Sequence, residues 1–215
     1  MMPGFASVIF DVDSTLCGIE GIDWLAERRG AMVGAEVTGL TDRAMRGEIA
    51  LDAVYGERLG LVQPTRADIA ALAHAYIASI APGASDAIAR LRQRGTRVVL
   101  MSGGIREAIL PVATLMGIAN DDVHAVSVQF DGADTYSGFD GASPLATATG
   151  KRIVAESLGL PPRVLAVGDG ATDLAMRPAV DAFAAFVGYV RRDSVVRAAD
   201  HVVESFAQVV ALANP

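Results

Sequence analysis

The sequence predicts an α/β fold: a doubly wound, mostly parallel sheet with a helical-bundle cap inserted after the first strand. Three observations carry this reading. Apolar runs rich in β-branched residues, at 5–10, 97–101 and 164–167, alternate with helical spacing, the pattern of a parallel sheet with helical crossovers. About 65 residues of helical spacing separate the first run from the second, far more than one crossover needs. Finally, the runs end in polar clusters: Asp11 with Asp13, Ser102-Gly103-Gly104, and Gly168-Asp169-Gly170. The resulting boundaries are 1–15 and 80–215 for the α/β core and 16–79 for the cap.

The first strand is Val-, Ile- and Phe-rich, as befits a strand covered on both faces. Ile19, Ile22, Leu25 and Ala26 then make one face of a helix ending near Gly30. A second helix spans 31–46 and stops at Gly47. A third carries Leu51, Val54, Leu59 and Leu61 and ends before Pro64. Thr65 caps a fourth, with Ile69, Leu72, Ala73 and Tyr76 on one side. Pro82-Gly83 returns the chain to strand–helix alternation, with a helix over 84–94. A strand over 97–101 and a helix over 105–116 follow. A single strand is expected over 123–130, with Asp131-Gly132 turning a hairpin into 136–139. A helix over 151–158, a strand over 164–167, and short strands at 182–187 and 201–203 complete the alternation.

The chain of 215 residues is 52% hydrophobic and 20% charged, the composition of a globular protein. Its net charge of −7 argues against nonspecific nucleic-acid binding. Cys17, the only cysteine, excludes an internal disulfide and fits a reducing compartment. The N-terminus lacks a basic n-region, and no run is long and apolar enough for a membrane span. The expected location is cytoplasmic. Monomer and homodimer both remain open.

In an open parallel sheet, ligands bind outside the carboxyl ends of the strands. Asp11, Asp13, Asp169 and Asp173 all belong to such ends. Carboxylates converging without Cys or His favour a hard, oxygen-bound cation, most simply Mg²⁺. Mg²⁺ in turn suits a phosphate ester. Ser102-Gly103-Gly104 ahead of a helix offers backbone N–H groups, a hydroxyl and the positive end of a helix dipole. Lys151 adds a point charge at another helix start. Asp11 is ionised at neutral pH and could attack phosphorus without a base. Asp13 could then protonate the leaving oxygen and later deprotonate water.

The stretches Asp11-Val12-Asp13-Ser14-Thr15, Ser102-Gly103-Gly104, Lys151 and Gly168-Asp169-Gly170-Ala171-Thr172-Asp173 resemble, in order, the four motifs of the haloacid-dehalogenase-like phosphatases. Among these the chain resembles the phosphoserine phosphatases over nearly its full length. Glu20-Gly21-Ile22-Asp23, Thr41-Asp42-Arg43-Ala44-Met45, Glu57-Arg58-Leu59 and Pro82-Gly83 extend the likeness through the cap. The resemblance implies a Rossmann-like core and Mg²⁺-dependent hydrolysis of O-phosphoserine in serine biosynthesis. It implies Asp11 as nucleophile and Asp13 as acid/base. Mg²⁺ would be held by Asp11, the Asp13 carbonyl and Asp169, supported by Asp173. Ser102, Gly103 and Lys151 would hold the phosphoryl group, with Thr172 close by. Glu20 would meet the substrate ammonium and Arg58 its carboxylate. Leu51, where relatives carry phenylalanine, and Ala125-Val126, where many have Ala-Asn, depart from the pattern.

The alternatives are a phosphotransferase to another alcohol such as homoserine, or a phosphatase of another small metabolite. A receiver-type signalling module is more remote, because it would have neither cap nor Asp13. His74, His124 and His201 match no motif and are expected in packing or surface roles. Met32, Met45, Met101 and Met116 are expected in the core, with Met45 also able to line the cap side of the cleft. Cys17 is expected to pack rather than react.

Overall fold

The computed structural model describes residues 4–45, 49 and 51–214, except for the side chains of Asp42, Ala44, Met45 and Leu51. The expected helix end at Arg46 and Gly47 lies outside the described residues, as do the side chains of Met45 and Leu51.

Strand β1 (Ser7–Phe10) is buried at every position. Successive side chains point to opposite faces, so both faces of the sheet are covered here. It lies inside a six-stranded sheet with β2 (Arg97–Ile105), β3 (Val123–Val126), β6 (Val164–Gly168), β7 (Ala182–Phe186) and β8 (His201–Val203). The order is β3-β2-β1-β6-β7-β8, and every pairing is parallel. The strand order reverses between β1 and β6, and such a switch point opens a crevice at the carboxyl edge. Helices α5 (Ala84–Gln93) and α10 (Phe206–Ala213) pack on each other. The Phe206 ring stacks on Phe10 at 5.6 Å and meets Phe186 at 5.3 Å, tying the chain's end to the central strands.

Helices α1 (Gly21–Arg28), α2 (Ala31–Met45), α3 (Leu51–Val62) and α4 (Arg66–Ala78) lie between β1 and β2. Their shared interior holds Leu25, Leu59 and Leu72, on the apolar faces that helical spacing predicted, together with Val37 of α2. Thr65 starts α4 with a capping box: Asp68 N–H donates to its side chain, and the Asp68 carboxylate accepts from the Thr65 N–H. The two chain segments joining this bundle to the sheet bond to each other. Gly18 N–H donates to the Ser79 carbonyl and Ala81 N–H to that of Leu16, both at 2.9 Å.

The structure corrects two expectations. The strand expected over 123–130 is two strands. β3 joins the main sheet, while β4 (Val128–Phe130) pairs antiparallel with β5 (Tyr136–Phe139). The chain changes partner at Ser127, whose carbonyl accepts from Asp140 N–H at 2.9 Å, and Val128 N–H donates to Glu107. A continuous apolar run cannot reveal that change. Met32 is not core but 87% exposed, because α2 turns its first residues outward at the corner after α1. Among the remaining helices, α6 (Arg106–Leu115) follows β2 and α7 (Gly150–Ser157) precedes β6, with α8 (Ala171–Leu174) and α9 (Asp193–Ala198) after it. No described helix is long and apolar enough to cross a membrane.

Candidate active site

All ten residues singled out from the sequence line one cleft at the carboxyl edge of the sheet. Asp11 leaves β1 with its N–H donating to the Val167 carbonyl of β6 at 3.0 Å, which keeps its carboxylate beside the tip of that strand. The following loop turns tightly. Ser14 adopts φ 51°, the left-handed region that costs a non-glycine residue energy. Its hydroxyl donates to Glu20 at 2.6 Å, linking the Asp-x-Asp loop to the first helix of the bundle.

Asp13 is fixed from three sides. Its Oδ1 accepts from Gly21 N–H and from the Tyr76 hydroxyl, each at 2.7 Å, and its Oδ2 accepts from the Ser102 hydroxyl at 3.2 Å. Position 21 must be glycine for this, since a Cβ there would fall 2.0 Å from the Tyr76 oxygen. Burial raises the Asp13 pKa above the usual carboxylate range, opposed chiefly by the Tyr76 and Gly21 hydrogen bonds. The carboxyl is therefore disposed to hold a proton, on a side chain that cannot swing away.

Lys151, only 4% exposed, is not the solvated charge that a helix start usually carries. Its ammonium donates to Asp11 Oδ1 and Asp173 Oδ1, both at 2.6 Å. Burial alone would lower its pKa, but the two carboxylates outweigh that and hold it above its ordinary value. Gly150 lets the helix start this close: a Cβ there would fall 1.7 Å from the Pro144 carbonyl oxygen. The Asp11 pKa is raised well above the carboxylate range by burial and then by the Asp173 charge, against the pull of Lys151.

Asp11, Asp169 and Asp173 offer carboxylate oxygens within 4.8 Å of one another, all buried. Asp169 Oδ1 accepts from the Thr15 hydroxyl at 3.3 Å, while Oδ2 is ion-paired with Arg192. Such a buried, all-oxygen set without Cys or His fits a hard divalent cation. Asp173 differs from the other two. Its Oδ1 is taken by Lys151 and its Oδ2 by Gly170 N–H at 2.9 Å, so its oxygens are already committed and its place is to brace the site.

Ser102 and Gly103 line the cleft beside Asp13. β2 runs further than expected, through Ile105, before α6 begins at Arg106. The anion cradle is correspondingly smaller than the sequence suggested, because Gly104 N–H already donates to Ser102 Oγ at 2.8 Å. Across the cleft, Arg58 pairs with Asp23 at 2.5 Å, and its buried Nε has no hydrogen-bond partner among the described residues. The Glu20 carboxyl is raised by burial and then by Asp13.

Sequence reasoning missed three contributors. Tyr76 fell on an apolar helix face and read as core, although its hydroxyl reaches Asp13. Arg192 reaches Asp169 as an ion pair from the loop after β7. That loop shares the carboxyl edge, which was the available clue. Tyr55 also lines the cleft, from a position that reads as plain helix interior. Cys17 is buried, and burial followed by the Asp13 charge pushes its thiol far up, which agrees with a packing role. Among the histidines, His74 and His201 are exposed and His124 is half-buried away from the cleft.

Known proteins share this chain's sequence pattern and fold. Residues 5–181 match the haloacid dehalogenase-like hydrolase family. The phosphoserine phosphatase of Homo sapiens is 36% identical over 208 residues, covering 95% of this chain and 91% of that protein. A structure described as a phospho-aspartyl intermediate analogue of phosphoserine phosphatase superposes with TM-score 0.80 at 25% identity, covering 97% of this chain and 98% of that one. A phosphoserine phosphohydrolase-like protein from Francisella tularensis subsp. tularensis SCHU S4 shares the fold with TM-score 0.87 at 23% identity, covering 97% and 99%. The chain belongs to the haloacid dehalogenase-like hydrolases, a family in which its full-length relatives are phosphoserine phosphatases.

Proposed function

We propose that the protein hydrolyses O-phosphoserine to serine and phosphate through an aspartyl-phosphate on Asp11. The observation that carries this is the arrangement of the two aspartates. Asp11 lies at the carbonyl-end crevice against the Lys151 ammonium, with Asp13 pinned two residues on by Gly21 and Tyr76. Glu20 and Arg58 face the same cleft from the bundle, one anion and one planar cation for an amino-acid head group.

In the first half-reaction an Asp11 carboxylate oxygen bonds to phosphorus as the bond from phosphorus to the serine oxygen breaks. Asp13 delivers its proton to that oxygen, and serine leaves. In the second, Asp13 takes a proton from water. The water oxygen bonds to phosphorus, the bond to Asp11 breaks, and phosphate leaves. With Oδ1 held by two donors, Oδ2 is the oxygen that carries the travelling proton. Lys151 and the Ser102 hydroxyl orient the phosphoryl oxygens, with Gly103 and Thr172 beside them. Mg²⁺, when bound by Asp11, Asp169 and the Asp13 carbonyl, would neutralise charge between the carboxylates and the phosphate dianion. Asp173 would brace Lys151 rather than bind metal.

Residues 16–79 are read as a cap that closes for phosphoryl transfer and opens for water, hinging at the bonded segments 16–18 and 79–83. Asp52 of α3 accepts from Ala148 N–H of the core at 3.0 Å, a contact suited to latching the closed form. The charge of −7 and the single cysteine support a cytoplasmic setting.

The test is phosphate release with Mg²⁺ from O-phospho-L-serine beside a panel of other phosphomonoesters, with Arg58→Ala in parallel. A strong preference for phosphoserine that Arg58→Ala erases is expected. Broad activity indifferent to Arg58 would refute the amino-acid reading while leaving a phosphatase. Phosphate transferred to an added alcohol instead of water would point to a phosphotransferase.

A further inference from the structure

Tyr55 is 4% exposed, and its hydroxyl is buried without a hydrogen-bond partner among the described residues. An unsatisfied buried hydroxyl is costly, and nothing in the packing requires it. The ring meets Phe139 with centroids 5.1 Å apart, a contact that phenylalanine would make equally well. Arg58 lies three positions along α3, on the same helix face. It too keeps a buried nitrogen, Nε, without a partner, while its NH2 is held by Asp23 at 2.5 Å. Both side chains line the cleft that holds Asp11.

Two unsatisfied groups on one face, one of them cationic, call for a single anionic acceptor. The phosphoryl group is spoken for at the far end of the cleft, by Lys151 and Ser102. The acceptor on the bundle side is therefore a second anionic group of the substrate. We propose that Tyr55 is a specificity-determining residue whose hydroxyl donates to the substrate carboxylate beside Arg58. Burial raises its pKa far above the phenol range, so it remains a donor at any working pH. The inference rests on the phosphoserine reading and adds a second donor to its carboxylate subsite. Asp23 positions Arg58 by holding one edge of the guanidinium, leaving the Nε side for the ligand.

The experiment compares wild type, Tyr55→Phe and Arg58→Ala on O-phospho-L-serine and on O-phosphoethanolamine, which lacks only the carboxylate, together with ligand-free thermal unfolding. Tyr55→Phe should raise KM for phosphoserine about tenfold to a hundredfold, as expected for one hydrogen bond to a charged group. The loss should fall on KM more than on kcat, and should exceed the loss on phosphoethanolamine by about tenfold. The ligand-free Tm should stay level or rise, since an orphaned hydroxyl has been removed. Unaltered phosphoserine KM, or equal losses on both substrates with a lowered Tm, would overturn the role of Tyr55. A wild-type enzyme that does not prefer phosphoserine over phosphoethanolamine would overturn the substrate reading and this inference with it. A wild-type preference abolished by Arg58→Ala but retained in Tyr55→Phe would overturn this inference alone.

Discussion

Replacing Lys151 with methionine keeps the aliphatic stem and deletes one charge from a buried triad. The ammonium is 2.6 Å from both Asp11 and Asp173, and all three side chains are 8% exposed or less. Solvent therefore cannot stand in for it. Breaking a buried ion pair by removing one partner costs about 3–5 kcal/mol, because the other charge is left uncompensated. At this chain length 1 kcal/mol moves Tm by about 2–4 °C, so Lys151→Met should lower Tm by about 6–20 °C. The assay is thermal unfolding of metal-free protein in a chelator, followed by circular dichroism. Adding Asp11→Asn should recover much of the loss, with a coupling of at least about 1 kcal/mol between the two sites. The sign follows from Asp11 itself. Its folded-state pKa is raised by burial and Asp173, so the ionised form costs stability above the ordinary carboxylate pKa, and an amide removes that cost. Asp11→Asn alone should thus raise the metal-free Tm while ending turnover. A Lys151→Met protein within about 2 °C of wild type, or no recovery from Asp11→Asn, would refute the triad as the electrostatic centre of the fold.

Acid-quenched phosphoenzyme trapping should find no covalent phosphate on Asp11→Asn. Asp13→Asn should still turn over, slowed by about 10²–10⁴-fold, the usual contribution of a positioned acid/base; retained hydrolysis in Asp11→Asn would identify a different nucleophile. Cross-linking α3 to the core through Asp52→Cys and Ala148→Cys, at a contact of 3.0 Å, should suppress turnover until reductant is added. Unchanged turnover in the oxidised protein would sink the idea that the cap must open. Thr65→Ala removes the capping box of α4 and should cost about 1 kcal/mol; a denaturant midpoint identical to wild type would show that α4 is held by packing alone.

Much of the site is legible in the chain because a doubly wound sheet places strand tips on one edge. Asp11, Ser102 and Asp169 each follow an apolar run, so their convergence needs only the parallel alternation. Lys151 was legible as a charge near phosphate, but its burial between two carboxylates was not. Tyr76 and Tyr55 occupy positions that fit an apolar helix face, and spacing says nothing about where a phenol oxygen ends. Arg192 belongs to an Arg-Arg-Asp stretch that resembles any exposed loop. The break at Ser127 was hidden because both β3 and β4 are apolar, and only the choice of pairing partner separates them.

By itself, then, the sequence determined the α/β alternation, the inserted helices, the order of the polar strand ends and the kind of chemistry they carry. These depend on short-range periodicity and on residue type, which a linear chain displays. The tertiary structure decided that Asp13 Oδ1 takes two donors and Oδ2 only one, that both Asp173 oxygens are committed to Lys151 and Gly170, and that Arg192 pairs with Asp169. It also decided that Tyr55 and Arg58 share an unanswered demand for an acceptor. Hydrogen bonds are made or lost over tenths of an ångström between residues as far apart as Asp11 and Lys151. Distances of that kind exist only once the chain has packed.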